Sequence, residues 1–173
     1  MGKTLVYHGS YMEVSNPIVI TGKRTKDFGY GFYCTVIKEQ AERWARRYRT
    51  PTVNVYSMLI NDELNILEFS KMTEQWLDFI VDCRNGKPHN YDIVIGPMAD
   101  DQIYNYISDY LDGAITRKQF WTLAKFKYPT HQIAFCTNEA MKCLTFTKSL
   151  RYLKHFLRVG YLLYFFMGSI ISP

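Results

Sequence analysis

Short strand-like runs set between capped amphipathic helices constrain this chain more than any other feature of its sequence. Residues 4–7 form the first such run and end at the turn His8-Gly9-Ser10. An irregular stretch holding Pro17, Gly22, Gly29 and Gly31 follows, and residues 32–35 return to an extended pattern. Ala41, Trp44, Ala45 and Tyr48 then recur at helical spacing, which predicts a helix over residues 40–48 with Glu42, Arg43 and Arg46 on its outer face. Residues 52–60 set Val53 and Val55 against Asn54, as a half-buried strand requires. Residues 64–69 are its expected neighbour, with Asn61-Asp62 supplying the turn.

The pattern continues downstream. Thr73 is a cap for a second helix carrying Trp76, Phe79, Ile80 and Cys83, which Asn85-Gly86 and Pro88 end. Residues 91–96 form a short buried strand. Asp100 and Asp101 open a third helix, where acids suit the positive end of the dipole, and Gly113 stops it. A fourth helix over residues 116–127, a strand over 132–136, a capped helix over 138–143 and an edge strand over 144–146 complete the α+β reading. These strands are too interrupted for a regular parallel βαβ array.

The composition permits such a core: 47% of the 173 residues are hydrophobic, which excludes a disordered chain and suits one domain. That domain is expected over residues 1–149, followed by a tail over 150–173. Residues 159–171 are almost wholly apolar, roughly two thirds of the length of a membrane-spanning helix, so core helix, partner-binding segment and membrane contact all stay open. Cys34, Cys83, Cys136 and Cys143 show no Cys-x-x-Cys spacing, so buried free thiols and no metal site are expected. With no signal peptide at residues 1–9, the expected compartment is the cytoplasm. The net charge of +5 gathers partly around Lys23, Arg24 and Lys26, around Arg43, Arg46, Arg47 and Arg49, and around Lys148, Arg151, Lys154 and Arg158. Such clusters favour anionic partners, or are simply solvated faces.

Three separated pieces make chemical sense together: Tyr7-His8-Gly9-Ser10, Asp27-Phe28-Gly29-Tyr30-Gly31-Phe32-Tyr33-Cys34-Thr35, and His131-Gln132-Ile133-Ala134-Phe135. A glycine after a strand-ending histidine lets a flat ligand reach backbone donor and acceptor groups. A tyrosine on a Gly-x-Gly loop offers a ring to stack on that ligand, and Gln132 offers a polar contact for a ribose hydroxyl. Each piece alone has an ordinary structural reading: a satisfied histidine, a turn, a core aromatic, a solvent-facing glutamine.

These segments resemble those of the histidine–tyrosine branch of the ADP-ribosyltransferase superfamily, which includes poly(ADP-ribose) polymerases and diphtheria-type toxins. With Gln40-Ala41, Trp44-Ala45, Tyr91-Asp92-Ile93-Val94, Gly96-Pro97 and Ala99-Asp100-Asp101 added, the chain is similar over about residues 4–146 to a bacterial family catalogued as domain of unknown function 3990. The resemblance implies a split antiparallel or mixed β-sheet core of the ADP-ribosyltransferase type with flanking helices, and NAD⁺ as co-substrate. It implies that His8 holds the adenosine ribose, that the Gly9 backbone pairs with the nicotinamide amide, and that Ser10 is a lesser contact. Tyr33 stacks on nicotinamide, Tyr30 forms a second wall, and Gln40 lies near a serine position of the polymerases.

Gln132 stands where the best-known polymerases carry glutamate. A neutral amide stabilises a cationic ribose less than a carboxylate does, which argues against polymer synthesis and permits mono-ADP-ribosylation, NAD⁺ hydrolysis or binding alone. Asp101 is a candidate substitute acid, against its plainer reading as a helix-start residue, and Arg24 is a candidate for the pyrophosphate. The expected function is a mono-ADP-ribosyltransferase, a bacterial toxin or defence effector restrained by a partner such as an antitoxin, acting on a protein or nucleic-acid acceptor. The rival is a non-catalytic NAD-binding or protein-interaction module with a degenerate transferase fold.

Overall fold

Seven strands and five helices form within residues 3–21, 26–124 and 129–152, which this computed structural model describes. Their order is β1 (Thr4–Ser10), β2 (Phe32–Cys34), α1 (Lys38–Ala45), β3 (Thr52–Met58), β4 (Ile66–Glu68), α2 (Glu74–Arg84), β5 (Ile93–Gly96), α3 (Asp101–Leu111), α4 (Arg117–Leu123), β6 (Gln132–Phe135), α5 (Asn138–Met141) and β7 (Leu144–Arg151). Two sheets result, with strand orders β1-β3-β7 and β2-β6-β5-β4. Every pairing is antiparallel except that of β4 with β5. The chain is therefore α+β, as its patterning predicts.

Caps start the helices where the sequence places them. The Thr73 hydroxyl accepts from the Trp76 N–H, the Asp100 carboxylate accepts from the Gln102 and Ile103 N–H groups, and Thr116 and Gln119 form a reciprocal capping box. Each cap satisfies first-turn donors that no intrahelical acceptor reaches, a contribution of about 1 kcal/mol apiece.

Apolar faces then assemble three clusters. Trp76, Leu77, Ile80, Ile103, Ile107 and Phe120 bring α2, α3 and α4 onto one face of the four-stranded sheet. Val6, Phe32, Tyr56, Ile93, Ile133 and Phe135 join the two sheets. Ala41 and Ala45 lay α1 on Val53 of the three-stranded sheet.

Several elements differ from the sequence expectation. β1 runs through His8-Gly9-Ser10 instead of turning there, because its register with β3 continues to Ser10 opposite Thr52. Asn54, expected on a wet face, is completely buried: its side-chain oxygen accepts from the Val14 N–H and its Nδ2 donates to the Met12 carbonyl. The segment after β1 thus covers the second face of β3. β4 does not neighbour β3, whose two edges are already taken by β1 and β7; it pairs with β5 instead. β7 extends to Arg151, so Leu150 and Arg151, placed in the tail by the sequence reading, pair with Val53 and Thr52. The described part of the fourth helix ends at Leu123, and the apolar run 159–171 lies outside the described residues. All four cysteines are free thiols, with Cys136 half-buried and the others buried.

Candidate functional site

Among the described residues the two sheets touch through backbone at one place. The Tyr7 N–H donates to the Thr35 carbonyl at 2.8 Å and the Thr35 N–H to the Tyr7 carbonyl at 2.9 Å. In an antiparallel strand alternate residues turn both main-chain polar groups to the same side. Gly9, two residues beyond Tyr7, therefore points its N–H and C=O away from β3 and toward β2, which has diverged by then. A second backbone pair is not made. Instead the His8 imidazole bridges the opening, with Nδ1 donating to the Tyr33 carbonyl at 2.7 Å. Among the described residues no hydrogen bond engages the Gly9 N–H or C=O. One donor and one acceptor that no described residue engages thus stand side by side where the two sheets part, on a residue that is itself buried.

Gly9 is demanded by packing as well. A Cβ there would lie 2.3 Å from the Ala41 carbonyl oxygen and 2.9 Å from the Ala45 nitrogen, so any side chain would drive α1 off the sheet. The lack of a side chain at Gly9 is thus what lets α1 pack on β1. His8 stacks on Phe32 with ring centroids 4.4 Å apart. Burial lowers its pKa, partly offset by the Tyr33 carbonyl, and nearby Lys26 lowers it further. A carbonyl can only accept, so the neutral ring carries its proton on Nδ1 and presents Nε2 as an acceptor.

Tyr33 is half-buried, packed on the helical side of β2. Its hydroxyl donates to the Gly29 carbonyl at 2.7 Å and accepts from the Phe28 N–H at 3.2 Å, closing its own loop into a rigid presentation of the ring. Gly29 makes that loop possible with a φ of 76°, a left-handed value that favours glycine. Burial raises the Tyr33 pKa far above the usual phenol range, so the hydroxyl stays a donor. Tyr30 is exposed on the same loop. Beside Tyr33 the Lys26 ammonium lies 5.8 Å from its ring centroid and 5.0 Å from that of Trp44. Arg47 lies 4.4 Å from the Trp44 centroid and pairs with both oxygens of Asp101 at 2.9 Å. Asp101 is thus a rim residue, its side chain 82% exposed, while Asp100 is the helix cap.

Gln132 and Gln40 are built into structure. Gln132 is buried, and its Nε2 donates to Asp27 Oδ2 at 3.0 Å and to the Pro97 carbonyl at 3.3 Å. Asp27 also accepts from the Ala99 N–H at 2.9 Å and forms a buried ion pair with Arg84 at 2.6 Å. A glutamate at position 132 would face the Asp27 carboxylate, which is a physical reason for the amide. Gln40 pairs with the main chain of His131, donating to its carbonyl at 2.6 Å and accepting from its N–H at 3.1 Å. Ser10 is buried, with its hydroxyl accepting from the Met12 N–H at 3.4 Å. Arg24 lies outside the described residues.

The structure therefore gathers His8, Gly9 and Tyr33 at one seam, with Lys26, Trp44, Arg47 and Asp101 along its rim. The site roles given to Gln132 and Gln40 meet side-chain amides already engaged by the fold. Sequence reasoning missed Asp27 and Arg84 as partners, since 57 positions separate them and no periodicity links them. It also missed Trp44 as a rim residue, because helical spacing marks it only as apolar. Among the described residues no group of three or more His, Cys, Asp or Glu is placed to hold a metal, and no helix is long and apolar enough to cross a membrane.

Residues 4–146 match the family described as protein of unknown function (DUF3990). No curated protein and no solved structure matches the chain.

Proposed function

This chain belongs to the DUF3990 family, and from the geometry of the seam between its sheets we propose that it binds NAD⁺ and transfers a single ADP-ribosyl group to a macromolecular acceptor. The observation that carries the reading is the pair of Gly9 main-chain groups that no described residue engages, set where β1 and β2 part and next to the His8 ring that holds the Tyr33 main chain. A primary carboxamide on a flat ring needs one acceptor, one donor and a face to stack on. Gly9 supplies the first two, and Tyr33 the third. The neutral His8 ring offers Nε2 to a ribose hydroxyl. The likeness of the motif residues to those of ADP-ribosyltransferases is what supports NAD⁺ over other planar amides.

In the transfer step the bond between the nicotinamide nitrogen and ribose C1′ breaks, and its electron pair leaves with neutral nicotinamide. A nucleophile of a protein or nucleic-acid acceptor forms the new bond to C1′ and releases its proton to solvent or a base. The seam assists by holding nicotinamide in place while the ribose moves toward the acceptor. With Gln132 turned to Asp27, no carboxylate at the third motif position stabilises the cationic ribose, which fits slow, single-unit transfer. A toxin or defence effector is one setting for such an activity.

The test is release of nicotinamide from NAD⁺ by the purified chain in the presence of cell extract as acceptor, beside Tyr33→Ala. Release is expected, and loss of the stacked ring should lower NAD⁺ affinity about ten- to a hundredfold. NAD⁺ binding without release supports the rival reading, a binding module whose third motif residue has become structural. Equal NAD⁺ affinity in a folded Tyr33→Ala overturns the site.

A further inference from the structure

Lys26 shares the ring of Trp44 with a second cation. Among the described residues its ammonium makes no ion pair and no hydrogen bond, and the exposed side chain reaches between the rings of Tyr33 and Trp44. The adjacent carboxylate of Asp27 is already taken up by Arg84, the Ala99 N–H and Gln132. A second cation, Arg47, stands on the same indole, so two positive charges share one ring and repel each other. Burial and Arg47 both lower the Lys26 pKa, against the favourable field of Asp27. Two cations converging on one aromatic ring create a local positive potential that an anion would meet. Arg47 has a partner in Asp101, but that pair is exposed, with side chains 51% and 82% accessible, and is weak enough to be exchanged.

Resting on the NAD⁺ reading of the seam, we propose that Lys26 and Arg47, held on Trp44, form the subsite for the diphosphate of the dinucleotide. The placement is consistent at both ends. Trp44 borders Gly9, whose hypothetical Cβ would lie 3.2 Å from the Trp44 Cβ, so the subsite begins where the nicotinamide end stops. A group with two adjacent negative charges suits two cations on one ring. Arg47 exchanges the Asp101 carboxylate for a phosphate oxygen, a swap of one charge-assisted contact for another. Lys26 gains a partner where it had none. It is therefore the larger contributor.

The experiment is a set of titrations of the full chain with nicotinamide, ADP-ribose and inorganic pyrophosphate, each repeated on Lys26→Ala and Lys26→Arg. Lys26→Ala should weaken ADP-ribose and pyrophosphate about tenfold or more and leave nicotinamide unchanged, while Lys26→Arg keeps most of the affinity. Pyrophosphate binding that depends on Lys26 in a chain that fails to bind nicotinamide would retain the anion subsite and discard NAD⁺ as its ligand. ADP-ribose binding that ignores Lys26 would do the reverse, overturning the subsite and leaving the seam reading intact. No binding of either phosphate compound, or equal weakening of all three probes by Lys26→Ala, also overturns the proposal.

Discussion

The polar groups behind β6 and those at the seam use their hydrogen-bonding capacity in opposite ways. Behind β6, both oxygens of Asp27 are engaged, the Gln132 amide donates twice, and the Arg84 guanidinium reaches Asp27 and the Tyr104 carbonyl while lying 4.0 Å from the Tyr104 ring centroid. One donor there, Arg84 Nε, lacks a partner among the described residues. At the seam, the Gly9 main chain, His8 Nε2 and the Lys26 ammonium have no hydrogen-bond partner among the described residues. A donor or acceptor left unmade in a fold costs about 1–3 kcal/mol, so such groups persist where water or a ligand meets them. The contrast teaches that residue type is a poor guide to role here. Gln132 and Asp27 look like chemistry and are engaged by the fold; a glycine and a lysine look ordinary and have no hydrogen-bond partner among the described residues.

The largest effect that can break this comparison is expected behind β6. Arg84→Met leaves the Asp27 carboxylate buried without its cation, and stability should fall by about 3–5 kcal/mol in urea denaturation. Gln132→Glu tests the same network from the other side. Its new carboxylate faces Asp27, so its folded pKa is raised above the unfolded value of about 4.3, and the loss of stability should grow as pH rises from there to neutrality. Restoring the polymerase-like glutamate is thus expected to weaken the fold without raising turnover. A fully stable Gln132→Glu with faster nicotinamide release would show that the region is catalytic after all.

Much of the scaffold was legible in the sequence because it is locally encoded. Thr73, Asp100 and Thr116 act as caps through their own neighbours, and the helical spacing of Trp76, Ile80 and Cys83 names the buried face without reference to anything distant. Strand partners were less legible. The turn at Asn61-Asp62 suggested a hairpin, but the edge of β3 was claimed by β7 from the far end of the chain, a choice set by sheet closure rather than by turn chemistry. At the site, His8, Gly9 and Tyr33 were readable as a motif, while the reason for Gly9 was not, since only the crossing of α1 reveals it. The fold partners of Gln40 and Gln132 were not legible, for one physical cause. An amide side chain satisfies backbone or carboxylate partners as readily as a ligand, and sequence does not say which arrives first.

A smaller effect sharpens the seam side. Burial lowers the His8 pKa, so below about 6.5, its unfolded value, the unfolded chain takes up a proton that the folded chain resists. Stability should therefore fall as pH drops through that range. His8→Asn keeps an N–H for the Tyr33 carbonyl but does not titrate, so its stability profile should be flatter on the acid side. Part of the slope will remain, because burial lowers the His131 pKa in the same direction. An unchanged slope in His8→Asn would mean that the imidazole is not the desolvated bridge described here.

The smallest expected effect decides where the rim belongs. Asp101→Ala removes an exposed pair, so stability should change by less than about 1 kcal/mol. Its consequence for binding has a definite sign. Asp101 competes with any phosphate for Arg47, and its removal should raise the affinity for ADP-ribose and pyrophosphate while nicotinamide release from NAD⁺ continues. Were Asp101 instead the acid that substitutes for a glutamate at position 132, the same variant would bind NAD⁺ normally and stop releasing nicotinamide. The two roles predict opposite movements of affinity and rate, so one variant read by titration and by turnover separates a carboxylate that holds an arginine from one that stabilises a ribosyl cation.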